Sequence, residues 1–94
     1  LITLLSKNSA DERIASLLLS ISTRNHHRNL SATYFRLPMS RADIGNYLGL
    51  TIETVSRVLS RFQKNNLLEV DKKEISIIDM DGLKRIANVE TACN

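Results

Sequence analysis

The most telling shortage in this 94-residue chain is of chemically reactive groups, because it contains a single cysteine, Cys93. One thiol cannot close an internal disulfide, and it cannot supply the several thiolates of a structural zinc or iron-sulfur site. Nothing in the cysteine usage therefore demands an oxidising compartment. No stretch approaches the ~20 apolar residues needed to cross a bilayer. The leading Leu1–Leu5 run is too short for a signal peptide's apolar region and lacks a small-residue cleavage site after it. No serine, histidine and acid grouping, no paired carboxylates of a cleft and no phosphate-cradling glycine loop is discernible, which argues against an enzyme. The length leaves room for one domain only. With 43% hydrophobic and 24% charged residues, the composition is that of a folding globular chain rather than a disordered one.

What the chain does have is an uneven distribution of charge. The formal net charge is only +3, yet from Arg13 to Asn66 there are eight basic residues and two acids, a local net of +6, and the remainder sums to −3. A compact positive region suits a polyanion, although charge alone does not separate DNA from RNA, acidic protein or anionic lipid.

Periodicity divides the chain into short elements. It opens without a methionine on Leu1, Ile2, Leu4 and Leu5, which read as the tail of a helix from a longer protein. Ser9 followed by Glu12 is a capping-box pattern and predicts a helix start. Ile14, Leu17, Leu18 and Ile21, broadened by Leu19, recur at i, i+3, i+4 and i+7, so one face should pack inward up to about Thr23. From Arg24 to Ala32 the chain is polar and reads as a loop or frayed helix end. His26 and His27 are adjacent rather than at the i, i+4 spacing of a helical metal site, and they read as solvated. Tyr34, Phe35 and Leu37 are strand-like, and Pro38 ends a short edge strand.

Ser40 is a good N-cap with Asp43 three positions on. The helix it starts carries Ile44, Tyr47 and Leu48 and should stop at Gly49. Thr51 caps a third helix, in which Val55, Val58, Leu59 and Phe62 repeat the apolar stripe before Asn65 and Asn66. Leu68 and Val70, a turn at Asp71, Lys72 and Lys73, and then Ile75 and Ile77 predict a β-hairpin. Asp79 or Asp81 can cap a last helix bearing Leu83, Ile86 and Ala87, ahead of a polar tail. The predicted fold is mainly α with a small β-hairpin, a winged helix-turn-helix.

The pair of helices around Gly49 matches the helix-turn-helix of DNA-binding proteins, whose second helix enters the major groove. Gly45 removes a side chain where the two helices must cross, Gly49 makes the turn and Val55 plugs the angle. At ~100° per residue, Glu53, Ser56, Arg57, Ser60 and Lys64 fall in a sector roughly opposite the apolar stripe. Arg57 there can donate two hydrogen bonds to guanine O6 and N7, and Glu53 can accept from cytosine N4. Glu53 serves either as a base reader or as a carboxylate orienting Arg57; the bland alternative is a solvated i, i+4 pair. Ser40, Arg41, Thr51, Thr54, Lys72 and Lys73 are candidate phosphate contacts. Arg61 either joins them or lays its stem against the helix surface. The rival reading is a winged helix that binds protein and not DNA, which has no need of Glu53 and Arg57 on an exposed face.

The segment Ser40 to Leu68, SRADIGNYLGLTIETVSRVLSRFQKNNLL, resembles the DNA-binding region of Crp/Fnr-type bacterial transcription regulators. Its Glu53-Thr-Val-Ser-Arg57 stretch is similar to the Fnr branch, and the likeness runs from about Ser6 to Ile86. The resemblance implies that Glu53, Ser56 and Arg57 read a TTGAT-type half-site in an inverted repeat of double-stranded DNA. The cyclic-AMP-responsive branch usually has arginine in place of Ile52 and glycine in place of Ser56. It further implies a cytoplasmic bacterial homodimer that acts on RNA polymerase. Residues 1–8 then form the end of a dimerisation helix and a hinge, and residues 9–94 the winged domain. Any iron-sulfur cluster or other effector would sit on a separate sensory domain, with no cofactor on this chain.

Overall fold

In a computed structural model, which describes residues 10–87, the apolar stripe begun at Ile14 lies on helix α1 (Ala10–His27). Ile14, Ala15, Leu18, Leu19 and Ile21 are all buried along it. The capping-box residue Ser9, the Leu1–Leu5 run, the boundary at residue 8 and Cys93 lie outside the described residues. Helix α1 passes the expected stop at Thr23 and takes in both histidines. Arg24, His26 and His27 in its last turn suit the negative end of the helix dipole. The turn that follows is tied back onto the helix: Ser22 Oγ donates to the Ala32 carbonyl at 2.6 Å and Asn25 Nδ2 to that of Ser31 at 3.3 Å. These side-chain anchors carry no apolar signature, so periodicity ends the helix a turn too early.

The next elements are β1 (Tyr34–Arg36), α2 (Arg41–Leu48), α3 (Ile52–Lys64), β2 (Leu68–Asp71), β3 (Glu74–Ile77) and α4 (Met80–Ala87). The expected hairpin is β2 and β3, and β1 extends it to three antiparallel strands in the order β1-β3-β2. Tyr34 faces Ser76, Phe35 faces Ile75 and Arg36 faces Glu74. Phe35 and Ile75 point inward, giving one buried and one solvated face. The free edge of β2 is covered in part by α3, because the Val70 N–H donates to Gln63 Oε1 at 2.8 Å.

Asp79 is the residue that caps α4, accepting from the Gly82 N–H at 3.0 Å. All four helices and the sheet contribute to one core, in which Ile14, Leu18, Ile44, Val55, Phe62, Leu68, Ile75 and Leu83 are almost wholly buried. Tyr47 departs from the expected stripe of α2: it is 73% exposed, and the short helix buries only Ile44 and Gly45. Among the described residues, no helix is long and apolar enough to cross a membrane.

Candidate nucleic-acid interface

The α2–α3 pair and its turn are set by two side-chain caps and one left-handed residue. Ser40 Oγ accepts from the Asp43 N–H at 3.1 Å and starts α2. Gly49, at φ 76° and ψ 32°, ends it in the left-handed conformation, where a glycine meets no Cβ penalty. The Leu50 N–H then returns to the Gly45 carbonyl at 2.7 Å. Thr51 Oγ1 accepts from the Thr54 N–H at 3.1 Å and starts α3 with Leu50 as the one residue between the Gly49 and Thr51 caps. Two contacts from the first turns of α1 brace the pair: the Arg13 guanidinium donates to the Leu48 carbonyl at 3.0 Å, and Asp11 bonds Arg61 of α3.

Helix α3 buries Val55, Val58, Leu59 and Phe62 and turns the opposite face outward. Glu53 and Arg57 are exposed on that face, one turn apart, with Ser56 half-buried beside them. Neither charged side chain has a hydrogen bond or ion pair among the described residues. Glu53 therefore does not orient Arg57 in the free chain, and both groups are open to an incoming ligand. Ile52, also exposed, adds an apolar side chain at the start of the same face.

The expected flanking residues fall into distinct places. Arg41 lines a cleft between α3 and the hairpin together with Ser56, Ser60, Gln63 and Lys72. Its Nε is buried without a partner among the described residues, a donor that a phosphate oxygen could satisfy. Ser40 stands at the start of α2 and Thr51 and Thr54 at the start of α3, where the two threonine hydroxyls are 2.9 Å apart. Lys72 and Lys73 form the hairpin tip and are exposed. Arg61 is engaged elsewhere. Its guanidinium lies 2.6 Å from both carboxylate oxygens of Asp11 and so is directed to α1 and away from the hairpin.

Two residues near the interface escaped the sequence reading. Gln63 holds the wing to α3, which a polar residue at the end of a helix gives no reason to expect. Arg36 joins Lys72, Lys73, Asp71 and Glu74 around a concave surface at the hairpin tip. The pairing of β1 with β3 brings it there, and that pairing was the missing signal. Among the described residues, no group of three or more His, Cys, Asp or Glu could hold a metal ion.

Residues 12–86 match the Crp-like helix-turn-helix domain family. The chain belongs to the Crp/Fnr-type regulators, on their Fnr branch. It is 60% identical over 84 residues to the transcriptional activator protein FnrA of Stutzerimonas stutzeri, covering 89% of this chain and 34% of that protein. With the fumarate and nitrate reduction regulatory protein of Escherichia coli K12 it shares 51% over 87 residues, covering 93% of this chain and 35% of that one. The solved structure of FixK2 from Bradyrhizobium japonicum superposes with a TM-score of 0.74 at 39% identity, over 83% of this chain and 38% of that chain.

The chain thus spans about a third of the length of the curated relatives it matches. As a Crp/Fnr-type winged helix-turn-helix it is a DNA-binding transcription regulator domain and not an enzyme. Helices α2 and α3 are the helix-turn-helix, and β2 with β3 is the wing.

Proposed function

We propose that α3 reads a TTGAT-type half-site from the major groove of double-stranded DNA through Glu53, Ser56 and Arg57. The observation that carries this reading is the pair Glu53 and Arg57, exposed one turn apart on the outer face of α3 and unpartnered among the described residues. Arg57 donates to O6 and N7 of guanine while Glu53 accepts from N4 of cytosine, so the two can address both members of one G·C pair. A carboxylate in a basic region would be repelled by phosphates, which favours base edges for Glu53. Ser40, Arg41, Thr51, Thr54, Lys72 and Lys73 hold the duplex by its backbone and fix the register.

The whole protein acts in the bacterial cytoplasm as a homodimer on an inverted repeat, and in bound form it positions or blocks RNA polymerase. Several relatives are named as transcriptional activators, which supports that role. An iron-sulfur cluster would need several thiolates, and the one cysteine of this chain cannot provide them.

The test is binding of the intact protein to a TTGAT inverted repeat and to duplexes changed at single base pairs. Arg57→Ala should erase the preference at one G·C pair, a loss of about 1–3 kcal/mol there, whereas Lys73→Ala should weaken all duplexes alike. An equal loss on every sequence from Arg57→Ala would reject base reading.

A further inference from the structure

We propose that Arg36 on β1 is a phosphate-binding cation of the wing, kept available because the Tyr34 phenol holds the neighbouring Glu74 carboxylate aside. Arg36 stands directly across from Glu74 in the β1–β3 ladder, and the Leu37 N–H bonds the Lys73 carbonyl at 2.7 Å, which pins the end of β1 to the wing turn. Arg36, Lys72 and Lys73 consequently share one concave surface, three cations against the two carboxylates of Asp71 and Glu74 that also line it. Lys72 also lines the cleft against α3 that Arg41 occupies, so the two surfaces adjoin at Lys72.

Opposite charges facing each other across antiparallel strands ordinarily attract. Here they do not pair: Arg36 has no side-chain partner among the described residues. Glu74 Oε1 instead accepts a hydrogen bond of 2.7 Å from the Tyr34 hydroxyl, reaching along the diagonal, since Tyr34 itself faces Ser76. That bond and the Glu74 charge hold the Tyr34 phenol above its ordinary pKa of 10.0, so it stays protonated and donating wherever the protein works. Tyr34 is in this sense a positioning residue. It engages one oxygen of the Glu74 carboxylate, which keeps its charge, and so holds it out of an ion pair with Arg36, whose guanidinium is left to a DNA phosphate beside those met by Lys72 and Lys73.

This inference rests on the DNA-binding reading, and the experiment separates the two. Association of the intact protein is measured against salt concentration on a TTGAT inverted repeat and on an unrelated duplex of equal length. Each neutralised phosphate contributes about 0.9 to the slope of log affinity on log salt. Arg36→Ala should flatten the slope by about one per subunit on both duplexes, and Arg36→Lys should restore it. Tyr34→Phe should weaken both duplexes where Glu74 is present and have no effect in a Glu74→Gln background. Thermal melting of each variant separates these effects from loss of fold. An unchanged slope in Arg36→Ala, with the unsubstituted protein still binding, overturns the Arg36 assignment alone. An equal Tyr34→Phe loss in both backgrounds overturns the role of the phenol. No binding by the unsubstituted protein to either duplex overturns both the inference and the reading beneath it.

Discussion

Gly45 lies against the carbonyl of Leu50 so closely that a Cβ on it would stand 2.5 Å from that oxygen. The obstacle is the backbone of the turn that joins α2 to α3, so relief requires that turn to shift and with it the packing of the two helices. Glycine to alanine in a helix ordinarily stabilises by about 1 kcal/mol through propensity. Gly45→Ala should do the opposite and destabilise by about 1–3 kcal/mol as an overpacked contact. Gly49 differs in kind. Its Cβ would find nothing nearer than Arg13 at 3.9 Å, and only its φ of 76° restricts the choice of residue. Asparagine tolerates that conformation, so Gly49→Asn should melt close to the unsubstituted protein and keep its DNA affinity. Urea unfolding and binding of both variants check the contrast, and a Gly45→Ala protein as stable as the parent would refute the crossing argument.

This pair shows what a sequence can and cannot carry. The i, i+3, i+4, i+7 stripe of α3 is legible because burial of one helix face repeats on a fixed period, and Val55, Val58, Leu59 and Phe62 all lie in the core. Glu53, Ser56 and Arg57 follow from the same period by difference. What was not legible depends on partners distant in the chain. Asp11 and Arg61 are separated by 50 positions, and β1 finds β3 40 positions later through Tyr34 and Glu74. Tyr47 misled for a related reason: a short helix packed chiefly against α3 needs only one buried edge, and a phenol fits the apolar pattern while tolerating solvent.

The Asp11–Arg61 pair yields the second prediction. Both side chains are partly exposed, at 31% and 46%, so the pair should contribute no more than about 1 kcal/mol and less in high salt. Its larger consequence is directional. If its guanidinium stays turned to α1 in the complex, Arg61→Ala should leave the salt slope of DNA binding unchanged where Lys73→Ala flattens it by about one per subunit. A matching decrease in both variants would return Arg61 to the phosphate-binding set.

Lys72 is held at φ 60°, the sign that a two-residue hairpin turn requires at its first position but that lysine adopts at a cost. Replacement by asparagine keeps the turn and relieves about 1 kcal/mol of backbone strain. It also removes a cation from the wing. Lys72→Asn should accordingly raise the melting temperature while lowering DNA affinity on all sequences, two shifts of opposite sign from one substitution. Calorimetry and a salt titration of binding measure them separately, and a lower melting temperature would show that the strain is not where the dihedral places it.

Tyr34 donates to Glu74, and that hydrogen bond, reinforced by the negative charge of Glu74 and lesser contributions from desolvation and Asp71, raises the phenol above 10.0. A group whose pKa is higher folded than unfolded binds its proton more tightly in the native state. Its contribution to stability is therefore complete below pH 10 and is lost as pH rises through the native value. Ultraviolet titration of the phenolate in a Tyr47→Phe background should show Tyr34 ionising above its ordinary range, and Glu74→Gln should move that titration down. Tyr34→Phe should correspondingly lessen the loss of stability seen in strongly alkaline solution. Tyr34 titrating at the same pH with and without Glu74 would mean that the phenol and the carboxylate are not joined in solution.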